Sequence, residues 1–434
     1  MRIGVIGLWH LGEIYSAGFA ELGHTVIGIS DDARVVEGFT RNEPPLAEPQ
    51  LASLLLRHQK SGLLTYTTDW ESVKKCDAVW ITFDTPVNNR DEADTSVIFE
   101  CLKKVLSCFK NGVVLGVSSQ LPVGTSRDIV AFVKKKRPKL SFRYAYVPEN
   151  LRLGEAVESF LNPQRIVIGA EDMRTREQVK AMFGQINADF LFMNPVSAEM
   201  VKHALNAFLA TSLSFIYDIA DVCEMVGADI LDVSRALKSD SRIGGKAYLD
   251  ASVGFSGGTL GRDLRVLLNE ATSRHMELPV IRSAFHKNKE RKKLVLHFLK
   301  TRLKNLKNKK IVVAGLTYKA GTSTLRRSLS LEIAEEVWKD GANMGLYDAM
   351  VTEEDMKAVA RFPFSCEKTF LASLKGAHAC VVITPWDTLK KVDFKKMRAT
   401  MKNPAVLFDA RNFLASEAEK IKKAGIEYRS VGRA

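Results

Sequence analysis

The sequence predicts an α/β protein in which two doubly wound domains are joined by a long central helix and a helical middle domain. Three observations carry this. The chain opens with strand, turn, helix and strand in close order. The same alternation restarts near Lys309. Between the two, from about residue 197 to 225, apolar residues recur at helical spacing without a break. Strands alternating with helices imply parallel βαβ units with helices on both faces of a sheet.

Each element has its local reason. Arg2–Ile6 is a short β-rich run, and Gly7 to Gly12 is a turn. Residues 13–22 read as a helix that Gly23 stops, and Thr25–Ile29 is the second strand. Apolar, β-branched runs at 78–83, Val113–Val117, 143–147 and 166–168 extend the first sheet. In the middle segment Met200, Val201, Ala204, Leu205, Phe208, Leu209, Leu213, Ile216, Ile219 and Ala220 mark a long, mostly buried helix. Lys310–Ala314, Asn343–Tyr347, 379–383 and 405–408 are the strands of the second sheet. At roughly 150 residues per domain, a chain of 434 residues divides into about three, drawn here at 1–190, 191–300 and 301–434.

Composition narrows the function classes. Hydrophobic residues are 46% and charged residues 26% of the chain, the balance of packed cores and not of disorder or coiled coil. No run reaches the roughly 18 apolar residues of a membrane span, and the opening apolar run is too short for a signal peptide. A cytoplasmic protein with no membrane partner is expected. The six cysteines include no C-x-x-C pair, and the eight histidines show no H-E-x-x-H spacing. Buried free thiols and no metal site are expected. The formal charge of +13 suits an anionic partner. Much of the excess lies between Lys287 and Lys310, with eleven Lys or Arg and one acid. No stacking aromatics interleave with them, so a solvated helix face and basic linker is the expectation, not a nucleic-acid surface.

The first chemical signal is the turn after the first strand. In a Rossmann-like domain, glycines there allow a tight bend and close approach of backbone to a pyrophosphate. The next helix N-terminus then supplies N–H donors and a positive dipole. The six positions are Gly7, Leu8, Trp9, His10, Leu11 and Gly12. The first and third glycines are present, and Trp9 replaces the second. That change is expected to push the pyrophosphate away or to require an altered turn. The acid expected on the ribose hydroxyls falls at Ser30, with Asp31 and Asp32 next. Arg34 keeps NADP open, but the two aspartates would repel a 2′-phosphate, so NAD is expected.

A series of motifs runs the length of the chain. Glu48-Pro49, Thr85-Pro86 and Leu121-Pro122-Val123-Gly124-Thr125 come first. Pro148-Glu149-Asn150-Leu151 and Asn162-Pro163-Gln164-Arg165 follow, then Lys202-His203-Ala204-Leu205-Asn206-Ala207-Phe208. Arg242-Ile243-Gly244, Gly254-Phe255-Ser256-Gly257-Gly258, Tyr318-Lys319, Thr322 and Arg326 come next. Trp386, Asp409, Arg411-Asn412 and Val431-Gly432-Arg433 close the series. In this order the chain resembles the UDP-glucose/GDP-mannose dehydrogenases, which oxidise nucleotide sugars with NAD. The resemblance implies an N-terminal NAD domain, a C-terminal nucleotide domain, and a central helix that carries catalytic side chains and a homodimer contact. It also implies two oxidations of the sugar 6-hydroxymethyl in a cleft between domains. In the family a cysteine thiolate traps the aldehyde, and hydrolysis of the thioester releases a uronic acid.

Matching positions imply roles. Lys202 and Asn206 share a helix face at i, i+4, and a cation beside an amide can stabilise an alkoxide or oxyanion. Glu149 matches the carboxylate that moves protons through water. Asp263 matches the aspartate beside the nucleophile. Its local role is to cap a helix that starts after Arg262, and both can hold. Tyr318 and Lys319 match the pair that meets the nucleotide sugar, and Arg242 matches an arginine that reaches a neighbouring subunit's substrate. The loop of Tyr248, Leu249, Asp250, Ala251 and Ser252, with Gly254 beyond it, matches the backbone that grips sugar and phosphates; Leu151 joins this set. On the cofactor side the resemblance adds Thr85, Gln120, Arg262 and Arg326.

The chain departs from the family pattern at functional positions. Where that pattern reads Gly-Phe-Gly-Gly-Ser-Cys-x-x-Lys-Asp, this chain has Gly254-Phe255-Ser256-Gly257-Gly258-Thr259-Leu260-Gly261-Arg262-Asp263. Thr259 stands at the catalytic cysteine. An alcohol is a weak nucleophile unless a base activates it, and no cysteine lies within thirty residues in sequence. Trp9, Ser30, Gln120, Leu153, Thr324 and Arg327 also differ. Three readings stay open. One is a dehydrogenase without a covalent thioester that stops at the aldehyde or oxidises its hydrate. Another is a dehydrogenase of a different nucleotide-linked substrate, and the last is a catalytically silent or regulatory nucleotide-sugar binder.

Overall fold

The computed structural model describes residues 1–46, 48–86, 93–184, 186–256, 259–325 and 327–433. By compactness the chain divides into two units, 1–204 and 205–434. The division falls inside the long helix Pro195–Val226.

The first unit is built on eight strands: β1 Arg2–Ile6, β2 Thr25–Ile29, β3 Leu64–Thr67, β4 Ala78–Ile81, β5 Val113–Val117, β6 Phe142–Tyr146, β7 Arg165–Gly169 and β8 Asp189–Met193. Their order in the sheet is β3-β2-β1-β4-β5-β6-β7-β8. The order reverses between β1 and β4, the switch point at which such sheets bind ligands. Alternate residues go to opposite faces, as a strand's period of two requires. Ile3, Val5 and Trp80 enter one core, and Ile6, Val79 and Ile81 enter the other. Both faces are thus buried, which is why these strands read as continuous apolar runs.

One expectation fails here: the sheet is not wholly parallel. β7 pairs antiparallel with β6 at Tyr146 and Gly169. The intervening chain holds only the short helix Ala156–Leu161, and an antiparallel strand needs no full crossover to the other end of the sheet. The first helix also starts earlier than read, at His10 and not residue 13. Trp9 already accepts the Glu13 N–H at 2.8 Å, which brings His10, Leu11 and Gly12 into the first turn.

The second unit joins the helical middle segment to a six-stranded parallel sheet. Its strands are β9 Lys310–Ala314, β10 Asn343–Tyr347, β11 Phe364–Cys366, β12 Ala379–Val382, β13 Val406–Asp409 and β14 Glu427–Ser430, in the order β11-β10-β9-β12-β13-β14. Ile216, Tyr217 and Ala220 of the long helix share one core with Ile311, Val313, Val381 and Phe408 of the sheet. The opposite face, with Val312, Cys380, Val382 and Leu407, packs on Leu389, Phe394 and Ile421.

The basic stretch between Lys287 and Lys310 is not simply a solvated face. Lys287 pairs with Asp218 and Asp221, Lys292 with Glu332, Lys300 with Asp340 and Arg302 with Glu427. Sequence-distant acids neutralise much of the charge. All six cysteines are free, five buried and Cys366 half-buried. Among the described residues no helix is long and apolar enough to cross a membrane.

Candidate active site

The turn after β1 requires both glycines that the sequence keeps. Gly7 has φ +98°, and a Cβ there would stand 2.8 Å from the Phe83 nitrogen. A Cβ on Gly12 would collide with the Gly7 carbonyl oxygen. Trp9, by contrast, has φ −125° and ψ −156°, extended backbone that any residue adopts. Its side chain is 45% exposed. The tryptophan therefore enters the turn without backbone strain, and the turn closes through Trp9 N–H to the Gly7 oxygen at 3.0 Å. No side chain caps the helix that follows, which leaves its N-terminal dipole for an anion. The cradle that glycines keep open, beneath an uncapped helix, fits a dinucleotide pyrophosphate.

The His10 side chain turns away from this anion position. Its Nε2 lies 2.9 Å from Glu48 Oε1, and the same carboxylate accepts the N–H groups of Gly154 at 2.9 Å and Ala156 at 3.2 Å. Burial pushes Glu48 up, but these hydrogen bonds outweigh it and hold the carboxyl below its ordinary range. Leu11 is buried, so the side chains of His10 and Leu11 are both engaged within the protein. Glu13, one turn on, lies fully buried. Burial pushes its carboxyl up to about 9, the nearby Glu48 adding to the shift.

At the end of β2, Ser30 Oγ accepts the Asp32 N–H at 3.2 Å. Asp32 caps the helix Ala33–Thr40 and pairs with Arg34 at 3.1 Å, and the Arg34 guanidinium holds the Asp32 carboxyl below its ordinary range. Asp31 pairs with Lys104. Arg34 is thus already matched by an acid, and a 2′-phosphate would meet two carboxylates here. Thr85 and Gln120 come together, the Thr85 hydroxyl donating to the Gln120 carbonyl at 2.7 Å.

The long helix organises the rest of the first unit. Lys202 Nζ donates to the Glu149 carbonyl at 2.8 Å and pairs with Glu149 Oε1 at 2.9 Å. Glu149 Oε2 accepts the Leu151 N–H at 2.9 Å. His203 Nε2 sits 2.8 Å from the Leu121 carbonyl oxygen. Glu199, which motif reading passed over, fills the N-terminus of the helix Thr125–Lys136. It accepts from Gly124 N–H at 2.6 Å, Ser126 N–H at 2.7 Å and the Ser126 hydroxyl at 2.6 Å. Burial raises its carboxyl and these bonds only partly offset the rise. The available signal was spacing: 199, 202, 203 and 206 share one helix face.

In the second unit Asn206 donates its amide to the buried Asp263 carboxylate. Thr259 is the N-cap of the helix Leu260–Ser273, and its carbonyl accepts the Asp263 N–H at 3.1 Å. The capping role for Asp263 is therefore overturned. The helix begins before Arg262, because Thr259 already supplies the first acceptor, and Asp263 lies inside the first turn. Arg262 is half-buried, with its Nε buried and unbonded.

Leu249, Ser252 and Gly254 are buried while Tyr248 stands exposed. The Leu249 carbonyl accepts the Ser234 hydroxyl at 2.7 Å. Arg242 is exposed and forks onto Asp240 at 2.7 and 3.0 Å. Tyr318 and Lys319 lie exposed on a loop closed by Tyr318 N–H to the Thr324 oxygen at 3.1 Å. Gly257, Gly258 and Arg326 lie outside the described residues.

The chain matches the UDP-glucose/GDP-mannose dehydrogenase family in three parts: its NAD binding domain over residues 1–187, its central domain over 196–290 and its UDP binding domain over 312–416. It is 30% identical over 437 residues to a UDP-glucose 6-dehydrogenase of Rickettsia bellii, covering 100% of this chain and 99% of that one. It is 31% identical over 434 residues to a UDP-glucose 6-dehydrogenase of Bacillus subtilis, covering 100% of this chain and 93% of that one. Among solved structures, a UDP-glucose dehydrogenase from Pyrobaculum islandicum superposes with a TM-score of 0.91 at 28% identity, over 100% of this chain and 98% of that one.

Proposed function

The chain belongs to the UDP-glucose/GDP-mannose dehydrogenase family, whose members are NAD-dependent oxidoreductases of nucleotide sugars, and on that premise we propose that it oxidises the 6-hydroxymethyl of a UDP-glucose-like substrate without a covalent thioester. The observation that carries the second half is Thr259 at the start of its helix, one turn from an Asp263 already engaged by Asn206. The division of labour we propose is 1–190 for NAD, 191–300 for catalysis and dimer contact, and 301–434 for the nucleotide.

The chemistry that bound NAD would supply is a hydride acceptor for the sugar carbon. The Gly7–Gly12 turn and the helix behind it would hold the pyrophosphate through backbone N–H groups, with Trp9 exposed beside them. Ser30, Asp31, Thr85, Gln120, Arg262 and Arg326 complete the cofactor side, and the pairing of Arg34 with Asp32 supports NAD over NADP. Lys202 gives up part of its bond to Glu149 for the substrate oxygen and carries the negative charge that develops there. Asn206 supports the same oxygen from the next turn of the helix. Glu149, no longer fully engaged, takes the proton through water. Leu151, Tyr248, Leu249, Ser252, Gly254, Tyr318 and Lys319 hold the nucleotide sugar.

A threonine hydroxyl stays protonated near neutrality, and a carboxylate already bound to an amide is a poor base for it. The aldehyde is then released, or its hydrate is oxidised slowly. NADH counted at 340 nm per sugar consumed, over a panel of UDP-, GDP- and CDP-sugars, tests this. About one NADH per sugar is expected at early times. No reduction with any sugar would leave the silent-binder reading, which Trp9 and Thr259 favour and the strain-free turn opposes. Reduction only with a sugar outside the UDP-glucose type would favour the other nucleotide-linked substrate.

The partner supported best is a second copy of the chain. Phe208 is 69% exposed, Phe215 50%, Val222 46% and Met225 77%. The first three are spaced by seven, one stripe along the long helix. Free thiols and an activated-sugar substrate support a cytoplasmic location.

A further inference from the structure

Four residues before Thr259, the chain is fixed by a side chain from another helix. Phe255 donates its N–H to Asn288 Oδ1 at 2.8 Å, and Asn288 Nδ2 donates to the Phe255 carbonyl at 3.0 Å. One buried amide thus satisfies both backbone groups of one residue, as a neighbouring strand would in a sheet. The fit depends on Gly254, whose φ is +125° and whose Cβ, if present, would stand 2.9 Å from Asn288 Oδ1. One turn along the same helix, Pro279–Arg291, the buried Arg291 donates from Nε to the Ser252 carbonyl at 2.9 Å. Its guanidinium is held over the Tyr217 ring at 5.3 Å and pairs with Asp221. The Tyr217 hydroxyl is 2.9 Å from Ser252 Oγ.

We propose that Asn288, seconded by Arg291, is a positioning residue that presets the backbone of residues 252–255 for the nucleotide sugar. The inference rests on the proposed function, because that reading gives this loop its ligand. The physical argument is preorganisation. A loop that must be ordered at each binding event loses affinity, and a frame already built removes that cost. Asn288 and Arg291 are both buried, and their bonds to the loop end on its main-chain atoms. An alanine at 288 leaves the Phe255 N–H and carbonyl without these partners, and the loop samples other conformations. The loss falls on the nucleotide sugar and not on NAD.

Two measurements on the full-length protein test this. Asn288→Ala should raise KM for the nucleotide sugar by about tenfold or more with KM for NAD unchanged. Hydrogen exchange should show the amides of 252–256 opening at least tenfold faster while those of β12 keep their protection. Should Asn288→Ala fail to fold, Gly254→Ala attacks the joint from the loop side, with the same split expected. Unchanged loop exchange, an unchanged sugar KM, or equal rises in both KM values would overturn the proposal. Wild-type protein that neither reduces NAD with any nucleotide sugar nor binds UDP by calorimetry would instead overturn the functional reading.

Discussion

A hydroxyl and a thiol at the same helix N-terminus differ in what the helix can do for them. A thiol of pKa near 8.5 is brought toward the thiolate by such a dipole, whereas an alcohol is not. Thr259 occupies that N-cap position. Thr259→Cys should therefore raise NADH from about one per sugar toward two, and intact-protein mass spectrometry should show a transient acyl adduct. An acyl ester on Thr259 in the wild type, with two NADH at normal speed, would refute the reading. Lys202 has the opposite character, a cation already held by two oxygens of Glu149. Lys202→Ala should lower turnover by about 10²–10³ with the far-UV circular dichroism unchanged. Turnover equal to wild type would remove the role assigned to it.

At the scale of an element, the first helix carries a buried acid directly behind the dinucleotide turn. Folded Glu13 holds its proton to about pH 9, against an ordinary 4.5. Between those values the unfolded chain binds fewer protons than the folded one, so the helix's contribution falls as pH rises through the window and levels off above it. Glu13→Gln has no proton to lose. It should raise Tm at pH 8 by several degrees, about 1–3 kcal/mol, and change it little at pH 3, where the glutamate is almost wholly neutral in both states. A thermal-shift series across pH decides this. The long helix supplies the other prediction at this scale. Phe215→Glu places a charge in the exposed stripe and should convert a dimer to a monomer by light scattering. A wild-type monomer at micromolar concentration would remove the proposed interface.

For the whole molecule, the two sheets and the long helix were legible because their signals are local. Strand runs such as Arg2–Ile6, Val113–Val117 and Lys310–Ala314 have the stated bounds in the structure, since burial on both faces leaves an unbroken apolar pattern. The glycine turn was legible because φ and close contact admit no other residue at Gly7 and Gly12. What escaped was set by distance in sequence. β3, β11 and β14 are short edge strands, and β8 is an edge strand with no buried residue, so their identity comes from the neighbour they pair with. The antiparallel step at β7 depends on whether the connection crosses to the other end of the sheet. Glu199 reads as an ordinary helical acid until Gly124 and Ser126, over seventy residues away, give it donors, and Asn288 until Phe255 meets it. The sequence by itself determined the architecture, the family and the positions proposed to carry the chemistry, because periodicity, glycine stereochemistry and ordered motifs act over a few residues. Only the tertiary structure decided how those positions are held, because a hydrogen bond's partner is a matter of space and not of spacing along the chain.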